Sequence, residues 1–332
     1  MDHYSSKWMS SLIADNEQET SPARRRFLIS AGVCAAALIA KPKILRAQGT
    51  SPVSVLLKAA ATAKLSVQPI RDKLSVIEGS GGNIAVLTGP DGKVLIDAGI
   101  AASKAQLQQA LSGISSDPIK HLINTHWHFD HTDGNAWLHA EGASILAQEN
   151  TKKHLSTSVF VGSNWQYTFP PAATGALPAR VFVSEENLTL NGKKLHLKHY
   201  GTAHTDSDIH VHFVDEGVLH VADTWWNGLY PFIDYWSGGS IDGMIAASKR
   251  NLALTDNKMV VIPGHGAVGN RAQMLEYHEM LTTIRAKVAD LKKQGKSVAE
   301  AISAHPSAAF DEKWGKAVIP PDVFVALVYQ GV

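Results

Sequence analysis

Cysteine is nearly absent from this 332-residue chain: Cys34 stands alone, so no internal disulfide framework can form. Charge is scarce too. Charged residues make up 18%, and the formal net charge is +1 with histidine neutral, so no surplus of one sign is available to hold a polyanion and a nucleic-acid partner is not expected. The apolar run 29–40 falls short of the roughly 20 residues that a bilayer-spanning helix needs. No repeat shows at a period of about 20–50 residues, which argues against a solenoid or propeller. What is present is a 45% hydrophobic composition, enough for a full core in one large domain or two modest ones. Histidine is abundant at sixteen, and it is the commonest metal ligand.

The first 47 residues read as an address. Arg24-Arg25-Arg26-Phe27-Leu28 precedes the short apolar run, and small residues follow near Ala47. This is the grammar of a secretory signal, with paired arginines of the twin-arginine type. Val33 ahead of Cys34 does not suit lipidation. Cleavage near Ala47 removes seven Lys/Arg and four Asp/Glu, which leaves 24 against 26, or −2. The expected product is periplasmic or secreted, exported folded, free of cysteine and without a stable membrane anchor. Residues 48–72 are expected as an N-terminal arm, and 73–332 as the working domain with helices at its C-terminal end.

Along that domain, apolar runs at 74–78, 84–88, 93–97 and 119–124 read as strands, with Gly81-Gly82-Asn83 and Pro90-Asp91-Gly92 as turns. Residues 101–111 read as helix and 162–178 as a loop rich in aromatics, Pro and Gly. Strands are expected at 181–183, 188–190, 194–200, 209–214, 218–221 and 259–262, and helices at 240–254 and 271–294. Two groups of strands, each followed by helices, predict a four-layer αβ/βα sandwich.

The strongest local signal is His126-Trp127-His128-Phe129-Asp130-His131, directly after an apolar strand. Histidines one residue apart project from the same side of an extended chain, and a tight turn then brings Asp130 and His131 round. Imidazole and carboxylate suit Zn²⁺, and also Fe or Mn. Three further candidates each follow a strand: His204 in a glycine-bounded turn, Asp223, and His265 in Pro263-Gly-His-Gly266. The ends of strands are where loops converge on one cleft.

Taken in order, the H-x-H-x-D-H run, the Gly-x-Ala-His turn, the Asp after a strand and the Gly-His resemble the metallo-β-lactamase superfamily. Glu78–Asn83 and Val94–Gly99 are similar to that family's opening. The resemblance implies two Zn²⁺ per chain. His126, His128 and His204 would hold one, Asp130, His131 and His265 the other, and Asp223 would bridge them. Asp97 would accept a ligand N–H and orient the motif loop. Two ions about 3.5–4 Å apart can share a hydroxide that attacks a carbonyl, with Asp130 taking the proton. Trp165, Tyr167, Trp225 and Trp226 are expected to line a substrate pocket, with Trp127 and Phe232 in the core. The resulting expectation is an exported zinc hydrolase for a small-molecule substrate, a β-lactam or a lactone. Alternatives are a thioester, phosphodiester or sulfate-ester hydrolase, a mononuclear iron oxidoreductase of the sulfur dioxygenase kind, and a non-catalytic metal-binding protein.

Overall fold

The computed structural model describes residues 51–332 apart from residue 164. The expected signal at 1–47 lies outside the described residues. In chain order the elements are α1 (Pro52–Ala60), β1 (Ser66–Arg71), β2 (Leu74–Glu78), β3 (Ile84–Leu87), β4 (Lys93–Ile96), α2 (Lys104–Ile114), β5 (Ile119–Asn124), α3 (Phe129–Thr132), α4 (Asn135–Ala140), β6 (Ser144–Gln148) and α5 (Glu149–Leu155). They continue with β7 (Val159–Val161), β8 (Tyr167–Phe169), β9 (Arg180–Phe182), β10 (Glu185–Leu190), β11 (Lys193–His199), β12 (Ile209–Phe213) and β13 (Val218–Trp226). The remainder are α6 (Ile241–Leu254), β14 (Val260–His265), α7 (Arg271–Lys293), α8 (Val298–Ser303), α9 (Ala308–Trp314) and α10 (Pro321–Gly331).

Two sheets carry the fold. The first runs β1-β2-β3-β4-β5-β6-β9, and the second β10-β11-β12-β13-β14. The first is antiparallel through β4, then parallel from β4 to β9. The second is antiparallel except for β13 and β14, which run parallel. Strand alternation sorts the apolar side chains into layers. Val94 and Ile96 of β4 meet Leu195, Val211 and Ile262 between the sheets. Leu95, between them in sequence, faces outward against Leu107 and Leu111 of α2 and Leu138 of α4. Both faces of β4 are covered, which is why it reads as a continuous apolar run. Leu219 and Val221 of β13 pack outward against Met244 of α6 and Met274, Tyr277 and Ile284 of α7. The layers are therefore helix, sheet, sheet, helix, as the strand and helix grouping predicts.

Three local expectations change. Residues 66–71, expected as part of an arm, form β1, the edge strand of the first sheet, and α1 buries Val53 and Ala60 in the core. The loop at 162–178 contains β8, paired with β7 in a small hairpin, because Tyr167-Thr-Phe169 is long enough to close three pairs with Val159–Val161. The strand placed at 218–221 runs on to Trp226, because β14 supplies a parallel partner as far as His265. Register shifts at Ala222, whose φ is +45°, let β13 kink without ending.

Candidate metal centre

The first ligands hang from the C-terminal end of β5, a parallel strand between β4 and β6. Paired amides of Asn124 and Asn135, at 3.0 and 2.9 Å, tie the loop's start to its end. His128 precedes the single turn of α3, which carries Asp130 and His131, and the Thr132 hydroxyl donates back to the carbonyls of Trp127 and His128 at 3.0 Å. One extended step and one helical turn thus aim four ligands from six residues toward a common point.

The second sheet supplies the rest. His204 lies in the turn after β11, Asp223 within β13 and His265 at the end of β14. Because β13 and β14 are parallel, Asp223 and His265 emerge at the same edge. Two close approaches require glycine. A Cβ on Gly264 would meet the backbone at Ala222 and Asp223 at 2.7 and 2.8 Å and the Asp223 carboxylate closer still, and a Cβ on Gly82 would run into the His131 ring. Asp97, with φ +69°, and Ala222 sit in the left-handed region without being glycine, a strain that accumulates at functional sites.

The side chains form two groups of converging ligand atoms: His126, His128, His204 and Asp223, and beside them Asp130, His131 and His265. Asp223 lies between the groups, with carboxylate oxygens 4.0 Å from His126 Nε2, 3.3 Å from His204 Nε2, 3.1 Å from His131 Nε2 and 3.3 Å from His265 Nε2.

Hydrogen bonds on the far side of His126, His128, His131 and His204 set their tautomers. His128 Nε2–H donates to Asp234 at 2.9 Å, and His204 Nδ1–H donates to the Phe232 carbonyl at 2.8 Å. Both rings then present lone pairs where His128 Nδ1 and His204 Nε2 face each other, 2.8 Å apart. His131 Nδ1–H donates to Asp97 at 2.7 Å. Thr125 donates its hydroxyl to the same Asp97 carboxylate and accepts from His126 Nδ1–H at 3.1 Å. The inward atoms His126 Nε2, His131 Nε2, His265 Nε2 and Asp223 Oδ1 are buried and, among the described residues, have no hydrogen-bond partner. Imidazole nitrogens and carboxylate oxygens converging in a buried site need positive charge between them, so these residues fit metal ions. The donor set is nitrogen and oxygen throughout, which suits zinc and other borderline divalent metals.

Charge preferences agree. Burial holds the pKa of His204 down to about 4, and burial, then the His131 charge, holds His126 well below the ordinary range. Both are therefore neutral ligands. Burial works against ionising Asp223, but His265, His131 and His204 outweigh it and keep the carboxyl well below the usual range. Burial likewise opposes charge on His265, yet Asp223 and Asp130 raise it to about 9. The carboxylates demand positive charge at this point.

The structure brings together all seven predicted ligands and sets Asp97 behind two of them. The aromatic expectations divide. Trp165 and Trp226 line the cavity at the metal site, with Trp226 4.2 Å from the His265 ring. Trp225 does not: it is wholly buried on the opposite side of β13, against Gly269. Tyr167 does not either, since it packs on Phe169 at 4.8 Å, away from the cavity. Trp127 is core, with Nε1–H donating to Ser237 at 3.0 Å, and Phe232 is core while stacking on Trp165 at 4.5 Å. Asp234 was missed. It caps the turn Tyr235–Ser237 while holding His128, and an Asp two residues before a Trp in an aromatic run offered no spacing signal. Leu56 and Val318, which also line the cavity, were missed because nothing local connects them to it.

A family model for the metallo-beta-lactamase superfamily matches residues 77–265, more than half of the chain. Among curated proteins, the chain is similar to 2,4-dinitroanisole O-demethylase subunit alpha of Nocardioides sp. strain JS1661, at 26% identity over 168 residues, 49% of this chain and 47% of that protein. It thus spans about half the length of that curated relative. Among solved structures, a metallo-beta-lactamase from Pontibacter korlensis superposes with TM-score 0.54 at 18% identity, covering 66% of this chain and 99% of that one. The inverting sec-alkylsulfatase Pisa1 from Pseudomonas sp. gives TM-score 0.57 at 18% identity, covering 83% of this chain and 51% of that one. At these identities the structural likeness is one of fold.

Proposed function

The chain belongs to the metallo-β-lactamase superfamily, and from that premise we propose that it is a dinuclear zinc hydrolase cleaving the carbonyl C–O bond of a small ester or lactone. The observation that carries this reading is Asp223. Its carboxylate is within 4.0 Å of histidines from both ligand groups, a position from which one side chain would serve two ion sites and set them close together. The name of the curated relative, an O-demethylase, also supports chemistry at a C–O bond.

Bound zinc would supply a Lewis acid and an acidified water at neutral pH. His126, His128 and His204 would hold one ion, and Asp130, His131 and His265 the other. The chain's own residues do the rest. Asp97 and Asp234 fix the imidazole tautomers, directly or through Thr125. Without metal, burial opposes charge on Asp130, but His131 and His265 outweigh burial and lower its pKa, which leaves a carboxylate ready to hold an ion; its free oxygen would take the proton of the attacking water. Trp165 and Trp226 flank the ligands and exclude bulk water from the substrate's face. We further propose export through the twin-arginine segment. Among the described residues no helix is long and apolar enough to cross a membrane.

The test is elemental analysis of the protein lacking residues 1–47, followed by assays on lactones, aryl esters, β-lactams, thioesters and phosphodiesters. Two zinc ions per chain with ester or lactone turnover is the expected result. One iron per chain, or turnover confined to β-lactams or phosphodiesters, overturns the reading. Arg24→Lys with Arg25→Lys should leave the full chain in the cytoplasm, and undiminished periplasmic recovery would refute the export route.

A further inference from the structure

Resting on the esterase reading above, we propose that the substrate is an uncharged ester or lactone with a flat apolar body, selected by two wall residues from outside the family-matched segment, Leu56 and Val318. Among the described residues, the charge lining the cavity over the ligands lies in one place, the metal-binding floor. Its remaining side-chain walls are Leu56, Ile100, Phe129, Trp165, Trp226 and Val318, and among the described residues no Lys or Arg lines it. A carboxylate, sulfate or phosphate group lying against those walls would lose its hydration and gain no countercharge, a cost of several kcal/mol in an apolar site. Asp130 and Asp223, the carboxylates among the described lining residues, offer it no countercharge.

Trp165 stands 5.3 Å from the His128 ring and 5.9 Å from Phe129, while Trp226 lies beside His265 at 4.2 Å, so aromatic surfaces flank the floor. Aromatic faces and edges hold a planar partner better than a flexible polar one.

Leu56 and Val318 fall outside residues 77–265, and both sit on segments tied to the core. On α1, Val53 and Ala60 are fully packed, and Ser51 Oγ donates to the Trp165 carbonyl at 2.7 Å, joining the helix to a cavity wall. Val318 lies between the buried residues Ala317 and Ile319, and Tyr230 anchors this segment through its N–H to the Trp314 carbonyl at 2.8 Å and by stacking on Phe324 at 4.5 Å. The family core thus furnishes the floor, and the flanking segments furnish part of the selecting wall. In the reaction, water's oxygen joins the carbonyl carbon as the C–O bond breaks. One water proton goes to the departing alkoxide and the other leaves with the acid product.

The experiment compares phenyl acetate with 4-sulfophenyl acetate on the zinc-loaded enzyme, each kcat/KM normalised to the ester's hydroxide-catalysed rate. This ratio is unaffected by unproductive binding of the sulfonate to metal. The expected preference for the neutral ester is about 100-fold or more, the order that an uncompensated buried charge implies. Leu56→Lys or Val318→Lys should narrow it at least about tenfold by installing a countercharge. Leu56→Ala should raise KM for phenyl acetate with little change in kcat, since a remote wall contributes binding alone. Equal or greater normalised activity on the anionic ester overturns the proposal, as does an unchanged preference in both lysine variants. If neither ester is hydrolysed, the esterase reading fails separately. Calorimetric titration with benzyl methyl ketone and its 4-sulfo derivative then decides the charge preference: tighter binding of the neutral ketone supports it, and tighter binding of the sulfonate refutes it.

Discussion

Gly264→Ala places a single methyl group between β14 and the metal-bridging candidate. The added carbon would sit 2.7 Å from the Ala222 carbonyl carbon and 2.8 Å from the Asp223 nitrogen, and nearer still to Asp223 Oδ1. Non-bonded carbons rest at about 3.5–4.0 Å, so the strands must part by roughly 1 Å or the carboxylate must swing away. Gly264 is not among the positive-φ residues, so its backbone suits alanine and the whole cost is steric. Overpacking of this kind costs about 1–3 kcal/mol, and a misplacement near 1 Å in a reacting constellation costs about 100-fold in rate. Thermal unfolding should therefore fall by several degrees, since 1 kcal/mol shifts Tm by about 2–4 °C at this size. Zinc content should drop below two, and kcat/KM should fall by about 100-fold. Gly113→Ala is the matched control. It lies in α2 with nothing within 4 Å of its would-be Cβ, and it should stabilise the protein by about 0.5–1 kcal/mol without touching activity. A Gly264→Ala protein that keeps two zinc ions and kcat/KM within about threefold of wild type would refute the reasoning, because Asp223 would then not need its observed position.

Other expectations are shorter to state. Asp234→Asn removes the charge that orients His128, and metal affinity measured by competition with a chelator should fall about 10–100-fold; unchanged affinity removes Asp234 from the site. His128→Ala and His265→Ala should each lose one metal and most activity, whereas loss of both ions from either variant would show that the groups do not fill independently. His210 is buried beside Tyr200 and His196, and burial first, then His196, His212 and Lys198, pushes its pKa down to about 3. Its folded pKa lies below the unfolded value of about 6.5, so the unfolded chain binds the proton more readily. Its contribution to stability is full above that value and falls as pH drops toward 3, by up to about 1.4 kcal/mol per pH unit. Denaturant unfolding of His210→Phe between pH 7 and 5 should be less pH-sensitive than that of the wild type, and equal slopes would show that His210 is not held neutral.

The parts of the site that were legible are those in which covalent spacing does the positioning. His126 to His131 reach one point because a strand end and one helical turn leave little choice. His204, Asp223 and His265 were legible as residues just past apolar runs, although Asp223 and His265 prove to lie within their strands. Trp225 and Trp226 show the limit. Neighbours on a strand face opposite ways, and choosing the one that meets the cavity requires the register of β13, which shifts twice against β14. Asp234, Leu56 and Val318 were out of reach for a different reason. Each meets the site only through chain paths that bring distant segments together, and no local pattern encodes that arrival.

The division of ligands between the two sheets has a consequence for assembly. His126 through His131 are complete once β5 and its loop form, but His204, Asp223 and His265 come from the second sheet, and His265 lies 139 positions beyond His126. Contacts of such sequence separation form late, because loop closure must precede them. A chain with only its first sheet built offers at most four of the seven candidate ligands and not the carboxylate proposed to be shared. Tight ion capture therefore reports that the sheets have docked, and a chelator added during refolding should act at the end of the process, on molecules whose cores are already closed.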